Sequence, residues 1–314
     1  MRRARGVALI LALVVVALAT VIATRIGAEG ALDTRRAVTL LAQEQAFQVA
    51  LGAETWASEV LFDAAAHSPR DSLDQAWATP LPPIPIDGGS LQGQLEDLQG
   101  RFNLNNLIKP DGTKNPLAFE QFQRLLASLD LEPKWASLLL DWIDTDTLAD
   151  GVDGAEDGVY TALSPPYRTA NRPITSTSEL LALPGFGADR YRRLRPLVAA
   201  LPVGSQLNVC TALGPVLDSL APGLTVFSQD ARQLAANRQK GCFPMRADVE
   251  GAINAATLPP DQRKQLLATL AERSKWFRAT TIVSIGTTEL TLYSLLERNP
   301  GGYSRVVLRT LGTE

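Results

Sequence analysis

Val7-Ala8-Leu9-Ile10-Leu11-Ala12-Leu13-Val14-Val15-Val16-Ala17-Leu18-Ala19-Thr20-Val21-Ile22-Ala23-Thr24 is a run of 18 residues without a charge. A helix of about 17–25 such residues spans a bilayer, so this run sits near the lower limit. Arg2, Arg3 and Arg5 precede it, and Gly6 stands at the junction. The arginines predict that this end stays cytoplasmic and that the rest of the chain is sent outward.

An ordinary secretory signal peptide is the competing reading, because Ala17-Leu18-Ala19 has the small-x-small form that signal peptidase accepts. The residues beyond the run favour a retained helix. Arg25 is the first charge, and no proline occurs before Pro69. Leu40, Phe47, Leu51 and Leu61 are spaced to share one stripe, with Leu41 and Val60 beside it. Ser68-Pro69 ends the segment. The spacing predicts one helix over 7–66, roughly 90 Å long at about 1.5 Å per residue. Residues 7–24 would lie in the membrane and the amphipathic remainder outside it.

The chain has 314 residues and a net charge of −3. That is room for two modules and no global attraction to nucleic acid. The single histidine, His67, falls at a helix end. With no second histidine, Ser-His-Asp and Cys-His catalysis and a His-rich zinc site have little to build on. Cys210 and Cys242 are the two cysteines. In an exported chain they would pair, closing a loop of about 33 residues and stabilising by roughly 3–4 kcal/mol in the chain-entropy model. The other reading is two buried thiols.

Past the helix, Pro80-Leu81-Pro82-Pro83-Ile84-Pro85 reads as a stiff extended connector. Gly88-Gly89 opens a strand-like stretch. Residues 90–97 and 100–105 both alternate, with Leu98-Gln99 as a turn between them. Asn103, Asn105 and Asn106 offer amides that can order a loop. From Pro116 to about Leu201 the spacing is helical, with Pro133 at the first turn of a helix carrying Trp135, Leu138, Leu139 and Trp142. Strand patterns return at 276–286, 288–297 and 303–309, with Asn299-Pro300-Gly301-Gly302 as a turn. This antiparallel meander needs an apolar cover, and the second half of the N-terminal helix can supply it.

Two stretches of the middle region carry chemistry. Asp141 to Asp157 holds seven carboxylates in 17 residues. Its spacing does not fit an EF-hand. Carboxylates this close repel one another, and a hard divalent cation such as Ca²⁺ is one remedy; a solvated acidic loop is the other reading. Thr175 to Tyr191 contains Leu183-Pro184-Gly185-Phe186-Gly187 between two short helical segments, the first capped by Thr177 or Ser178. That turn resembles a helix-hairpin-helix unit. Arg190, Arg192, Arg193 and Arg195 follow it, so a membrane-anchored DNA-binding protein is the alternative function; the hairpin as plain scaffolding is the other reading. Leu207 to Leu213 would begin a related second unit, with Leu217 to Gly223 as its turn.

Several motifs, taken in order, resemble the K-type minor pseudopilins of type II secretion (the general secretion pathway protein K family). They are Arg5-Gly6 with the apolar run; Leu98-Gln99-Gly100-Arg101-Phe102-Asn103-Leu104-Asn105-Asn106-Leu107; Asp141-Trp142-Ile143-Asp144-Thr145-Asp146; Gly154-Ala155-Glu156-Asp157 with Tyr160; Tyr167 to Asn171; and Ser178-Glu179-Leu180. The resemblance implies an α+β fold. In it a long pilin-like N-terminal helix packs on a small antiparallel sheet, and a large helical, helix-hairpin-helix-like domain is inserted between strands. The expected divisions are a leader over 1–6, the helix over 7–66, the sheet subdomain over 67–110 and 271–314, and the insert over 111–270.

The resemblance also implies Ca²⁺ in the insert, with Asp144, Asp146, Glu156 and Asp157 on the matching motif and Asn171 as a further ligand. It implies cleavage between Gly6 and Val7 by prepilin peptidase, methylation of the new amine, and a single pass through the bacterial inner membrane with the bulk of the chain periplasmic. Partners would be the I-type and J-type minor pseudopilins and secreted substrates, with no nucleic acid and no catalysis. Most pilins carry Glu as the fifth mature residue; counting from Val7, the fifth here is Leu11. A subunit with none ahead of it has no amine for such a Glu to neutralise, and an unpaired charge in an apolar bundle is costly. The resemblance therefore implies a subunit at the tip of an assembly, priming it.

Overall fold

The computed structural model describes residues 4–312, and side chains from Val7 onward. Helix α1 (Ala4–His67) is continuous, as a stretch free of proline allows. Its apolar window over the early residues is long enough to cross a membrane and has no part buried within the protein. From Ala42 onward α1 lies on a sheet. Ala46, Ala50 and Leu61 are its fully buried residues, with Ala42, Phe47, Val49, Leu51, Ala57 and Val60 partly buried around them. Small residues at the contact let helix and sheet approach closely. Leu40 and Leu41, placed on the packed stripe by spacing alone, are 65% and 70% exposed, because the sheet does not reach that far up the helix.

The sheet has the order β1-β2-β7-β8-β9 and is antiparallel throughout. Its strands are β1 (Leu81–Ile86), β2 (Gly89–Asp97), β7 (Trp276–Ile285), β8 (Thr288–Arg298) and β9 (Ser304–Leu311). The C-terminal meander follows the alternation read from sequence. The proline-rich connector does not stay a connector: it is strand β1, at the edge of the sheet, where residues lacking an N–H are tolerated.

The second alternating stretch also departs from expectation. Asp97 accepts from Gln99 N (2.8 Å) and Asn103 accepts from Asn105 N (3.2 Å), and each side chain starts a 3-10 turn. These local bonds compete with a ladder and carry the chain off the sheet. What remains of the expected strand is β3 (Phe102–Asn103), paired in parallel with β4 (Val198–Ala199).

The excursion from β2 to β7 is the insert. It contains α2 (Pro116–Ser128), α3 (Lys134–Ile143), α4 (Asp157–Tyr160), α5 (Gly187–Leu194), α6 (Gly214–Asp218), α7 (Ala231–Arg238), α8 (Arg246–Ala255) and α9 (Pro260–Ala268). A short parallel pair joins β5 (Leu207–Asn208), midway through the insert, to β6 (Leu270–Ala271) near its return. Leu207 to Leu213 is thus strand and turn, not the start of a second hairpin unit. Phe102, Leu104, Leu107 and Ile108 pack in the helical core with Phe122, Leu139 and Phe186, so that core begins before residue 111.

Asp97 pairs with Phe277 across β2 and β7, so the insert leaves and returns through two hydrogen-bonded strands. A buried polar network holds it there. Thr211 Oγ1 (2.6 Å), Ser274 Oγ (2.7 Å) and Asn208 Nδ2 (2.9 Å) all donate to Asp97 Oδ2. Arg298, at the end of β8, pairs with Asp71 and donates to Ser274 O (2.7 Å); both side chains are fully buried. The two cysteines are joined, Cys210 to Cys242, with Cα atoms 4.5 Å apart.

Candidate functional site

Helix α3 is apolar on most of its surface and packs deep in the insert, which carries Asp141 inside with it. Asp141 accepts from Asp150 N (2.9 Å) and Ala155 N (2.6 Å), folding the acidic loop back over the helix end. Gly154 makes that closure possible: a Cβ there would stand 2.4 Å from Asp141 Oδ2 and 2.5 Å from Asp150 N. Lys114 Nζ lies 2.8 Å from both oxygens of Asp150, which removes that carboxylate from the centre of the loop.

The centre is formed by Asp144, Asp146 and Glu156, each with a carboxylate oxygen within 4.8 Å of the others. Asp144 stands where α3 ends, and Glu156 stands just before α4. Asn171 adopts a left-handed backbone (φ 45°), held by its N–H to Trp142 O (3.0 Å) and its Nδ2 to Asp146 O (3.2 Å). Asp144 Oδ1, Glu156 Oε1 and Asn171 Oδ1 are buried and accept no hydrogen bond. Buried polar atoms in native proteins are almost always satisfied, so three orphaned acceptors close together fit a cation better than they fit an empty loop.

The electrostatics agree. Burial, then the charges of Asp146, Asp141 and Glu156, push the Asp144 carboxyl up to about 7. Burial first and Asp141 next raise Glu156 as well. Asp141 reaches about 6 through burial, with the Asp150 and Ala155 N–H groups opposing the rise. Such mutual repulsion is what a divalent cation relieves. All donors here are oxygens, which selects a hard cation of the calcium class over zinc or copper.

Asp157, expected as a ligand, does not join this group. Its Oδ1 accepts from Thr169 N (3.1 Å) and Thr169 Oγ1 (3.0 Å), and Arg168 lies 3.6 Å from its other oxygen. It anchors the returning segment instead. Two contributors stood in the sequence motifs with no role of their own assigned. Asp141 shapes the loop and is legible only as a carboxylate one turn before Asp144 on a buried helix face. Tyr160, packed at a tilt against Trp142 and Tyr167, closes the apolar wall, and its hydroxyl is buried without a partner.

The hairpin forms as read, with Ser176 in place of Thr177 or Ser178 as the cap of a 3-10 turn over 177–182. Gly185 and Gly187 take φ 77° and 75°, which a residue with Cβ resists. Three of its arginines already make contacts within the protein, although Arg192 keeps most of its side chain in solvent. Arg190 donates to Gly185 O (3.2 Å) and Phe186 O (3.0 Å) and pairs with Glu132 (3.4 Å); Arg192 pairs with Asp189; Arg193 donates to Leu129 O. A phosphate-gripping role for these three would have to displace those bonds.

Of the expected cleavage residues, Gly6 and Val7 both lie in the first turns of α1, and Val7 is exposed. Arg2 and Arg3 lie outside the described residues.

Comparison with known proteins bears on the same features. The family model for type II secretion system (T2SS), protein K matches residues 100–203, which run from the Gln99 turn through the acidic loop to β4. Type II secretion system protein K of Pseudomonas aeruginosa is 36% identical over 99% of this chain and 94% of its own length. The protein of that name from Pectobacterium carotovorum is 34% identical over 97% and 98%, and that from Aeromonas hydrophila 34% identical over 99% and 97%. Among solved structures, a chain of the GspK-GspI-GspJ complex of the enterotoxigenic Escherichia coli type 2 secretion system superposes with a TM-score of 0.74 at 28% identity, covering 89% of this chain and all of that one. The chain belongs to the type II secretion system protein K family.

Proposed function

We propose that this chain is the minor pseudopilin at the tip of a type II secretion pseudopilus, that it primes assembly together with I-type and J-type subunits, and that it supports export of folded proteins. The observation that carries the reading is the division of α1. Its early apolar part is bare of any contact within the protein, while its later part, from Ala42, is docked on the sheet. A shaft exposed on all sides has surface left for a membrane and for neighbouring helices. The bulky insert, leaving and returning between β2 and β7, fits a subunit above which no other stacks.

In this reading the run 7–24 anchors the protein in the inner membrane, prepilin peptidase cuts between Gly6 and Val7, the new amine is methylated, and the sheet and insert lie in the periplasm. The orphaned oxygens of Asp144, Glu156 and Asn171, with Asp146, would hold Ca²⁺. The ion supplies positive charge that keeps the loop closed; Asp141, Lys114 and Gly154 shape the loop around it. No step of the function needs a nucleophile, and the role is structural.

Deleting the gene in its own bacterium tests the reading. Type II substrates should accumulate in the periplasm, the full chain should restore export, and a chain lacking residues 7–24 should not. Export undiminished by the deletion would overturn it.

A further inference from the structure

Arg238, at the last turn of α7, is 3% exposed and pairs with no carboxylate among the described residues. Its guanidinium spends its donors on backbone carbonyls. Nε donates to Phe243 O (2.7 Å), Nη1 to Thr211 O (3.3 Å), and Nη2 to Val209 O (3.4 Å) and to Ala212 O. Burial lowers its proton affinity to about 10, so it remains charged at neutral pH.

The position of those carbonyls matters. Val209 and Thr211 flank Cys210, and Phe243 follows Cys242. One planar fork therefore grips both backbone segments that the disulfide joins, and it does so from inside the loop that the disulfide closes. A point charge such as lysine has neither the fork nor the spread to hold both sides.

We propose that Arg238 is a second, non-covalent tether across the Cys210–Cys242 loop, which holds the two cysteine-bearing segments together whether or not the sulfurs are bonded. The disulfide also constrains the unfolded chain, whereas Arg238 acts only in the folded one. In the folded insert the two tethers are redundant: loss of either alone leaves the segments held together, and loss of both frees them. The insert can thus reach its final packing while the thiols are still reduced, with the cysteines already adjacent when an oxidant meets them.

Amide hydrogen exchange of the full chain in detergent tests this, read over residues 209–213 and 238–245. The variants are Cys210→Ser with Cys242→Ser, Arg238→Met, Arg238→Lys, and the first two combined. Each of the first two is expected to exchange within a few-fold of the parent. The combined variant should exchange faster by about a hundredfold or more, because neither tether then holds the two segments together. Arg238→Lys on the cysteine-free background should resemble Arg238→Met, because it lacks the fork. The idea fails if the cysteine-free chain already exchanges freely, if the combined variant stays protected, or if Arg238→Met with an intact disulfide does not fold.

Discussion

Thr211 Oγ1 donates to Asp97 Oδ2 at 2.6 Å, joining a residue of the insert to the last residue of strand β2. The same oxygen receives Ser274 and Asn208, and burial pushes the Asp97 carboxyl upward against the pull of the Thr211 and Ser274 bonds. One side chain thus gathers the outgoing strand, the insert and the returning chain. Asp97→Ala removes the acceptor shared by the Thr211, Ser274 and Asn208 side chains, and that of Gln99 N, and should cost about 2–4 kcal/mol. Denaturant unfolding followed by tryptophan fluorescence measures it; a loss under about 0.5 kcal/mol would show that the junction is held elsewhere.

Asp71 and Arg298 form a second link in the same junction, both side chains excluded from water. Arg298→Met strands a buried carboxylate and should destabilise by about 3–5 kcal/mol. Replacing both, as Asp71→Leu with Arg298→Met, should recover most of that loss, since a well-packed apolar pair often matches a buried ion pair. A double-mutant cycle on the same unfolding curves gives the coupling. Additive losses would mean that the pair does not act as a unit.

Glu54, on the packed face of α1, receives Arg309 Nη2 at 2.7 Å and Nε at 2.8 Å, and Ser294 Oγ at 2.6 Å. Burial alone would raise its carboxyl, but the hydrogen bonds from Arg309 and Ser294 and the charge of Arg309 outweigh burial and leave it below its ordinary 4.5. A carboxyl depressed in the folded state contributes stability that is full above the unfolded value and lost as pH falls through the folded one. Thermal unfolding between about pH 6 and pH 3 should therefore show helix–sheet docking weakening below about 4.5. Glu54→Gln should flatten that slope and cost about 1–2 kcal/mol at neutral pH. An unchanged slope in Glu54→Gln would assign the acid lability to other groups.

The acidic loop gives a paired prediction. Glu156→Gln removes one of the three grouped carboxylates and should lower Ca²⁺ affinity by about 10–100-fold, judged against what even outer-shell losses cost. Gly154→Ala adds a Cβ 2.4 Å from Asp141 Oδ2 without touching any candidate ligand. It should weaken Ca²⁺ by about tenfold through the loop backbone alone. Calorimetric titration of both reads the affinities. Equal Ca²⁺ binding by the parent and Glu156→Gln would remove the site.

Leu11→Glu probes the shaft. In the proposed tip position a carboxylate there would lie in hydrocarbon with no amine ahead of it, at a cost on the order of 2–3 kcal/mol. Co-purification of the other minor pseudopilins from membranes should fall. Recovery at the parent level would discard the charge argument and leave the bulk of the insert as the barrier to stacking.

The sequence by itself determined what depends on local order along the chain. The length of α1 follows from an uninterrupted, proline-free stretch, the C-terminal meander from alternation punctuated by Asn299-Pro300-Gly301-Gly302, and the hairpin from its two glycines. Each is a near-neighbour effect, and composition carries it. The tertiary structure decided everything that depends on who lies opposite. Leu40 and Leu41 have the right spacing to pack, yet the sheet ends before them. Pro82, Pro83 and Pro85 deny a central strand but suit an edge, and an edge exists only once β2 has a free side. Asp157 sits on the motif with Glu156, but in the fold Thr169 and Arg168 contact it and it stands apart from the group of Asp144, Asp146 and Glu156. Asp141 looked like one more acidic residue until α3 buried it beneath the loop. Partner identity is a property of the folded surface and interior, and no period or spacing along the chain encodes it.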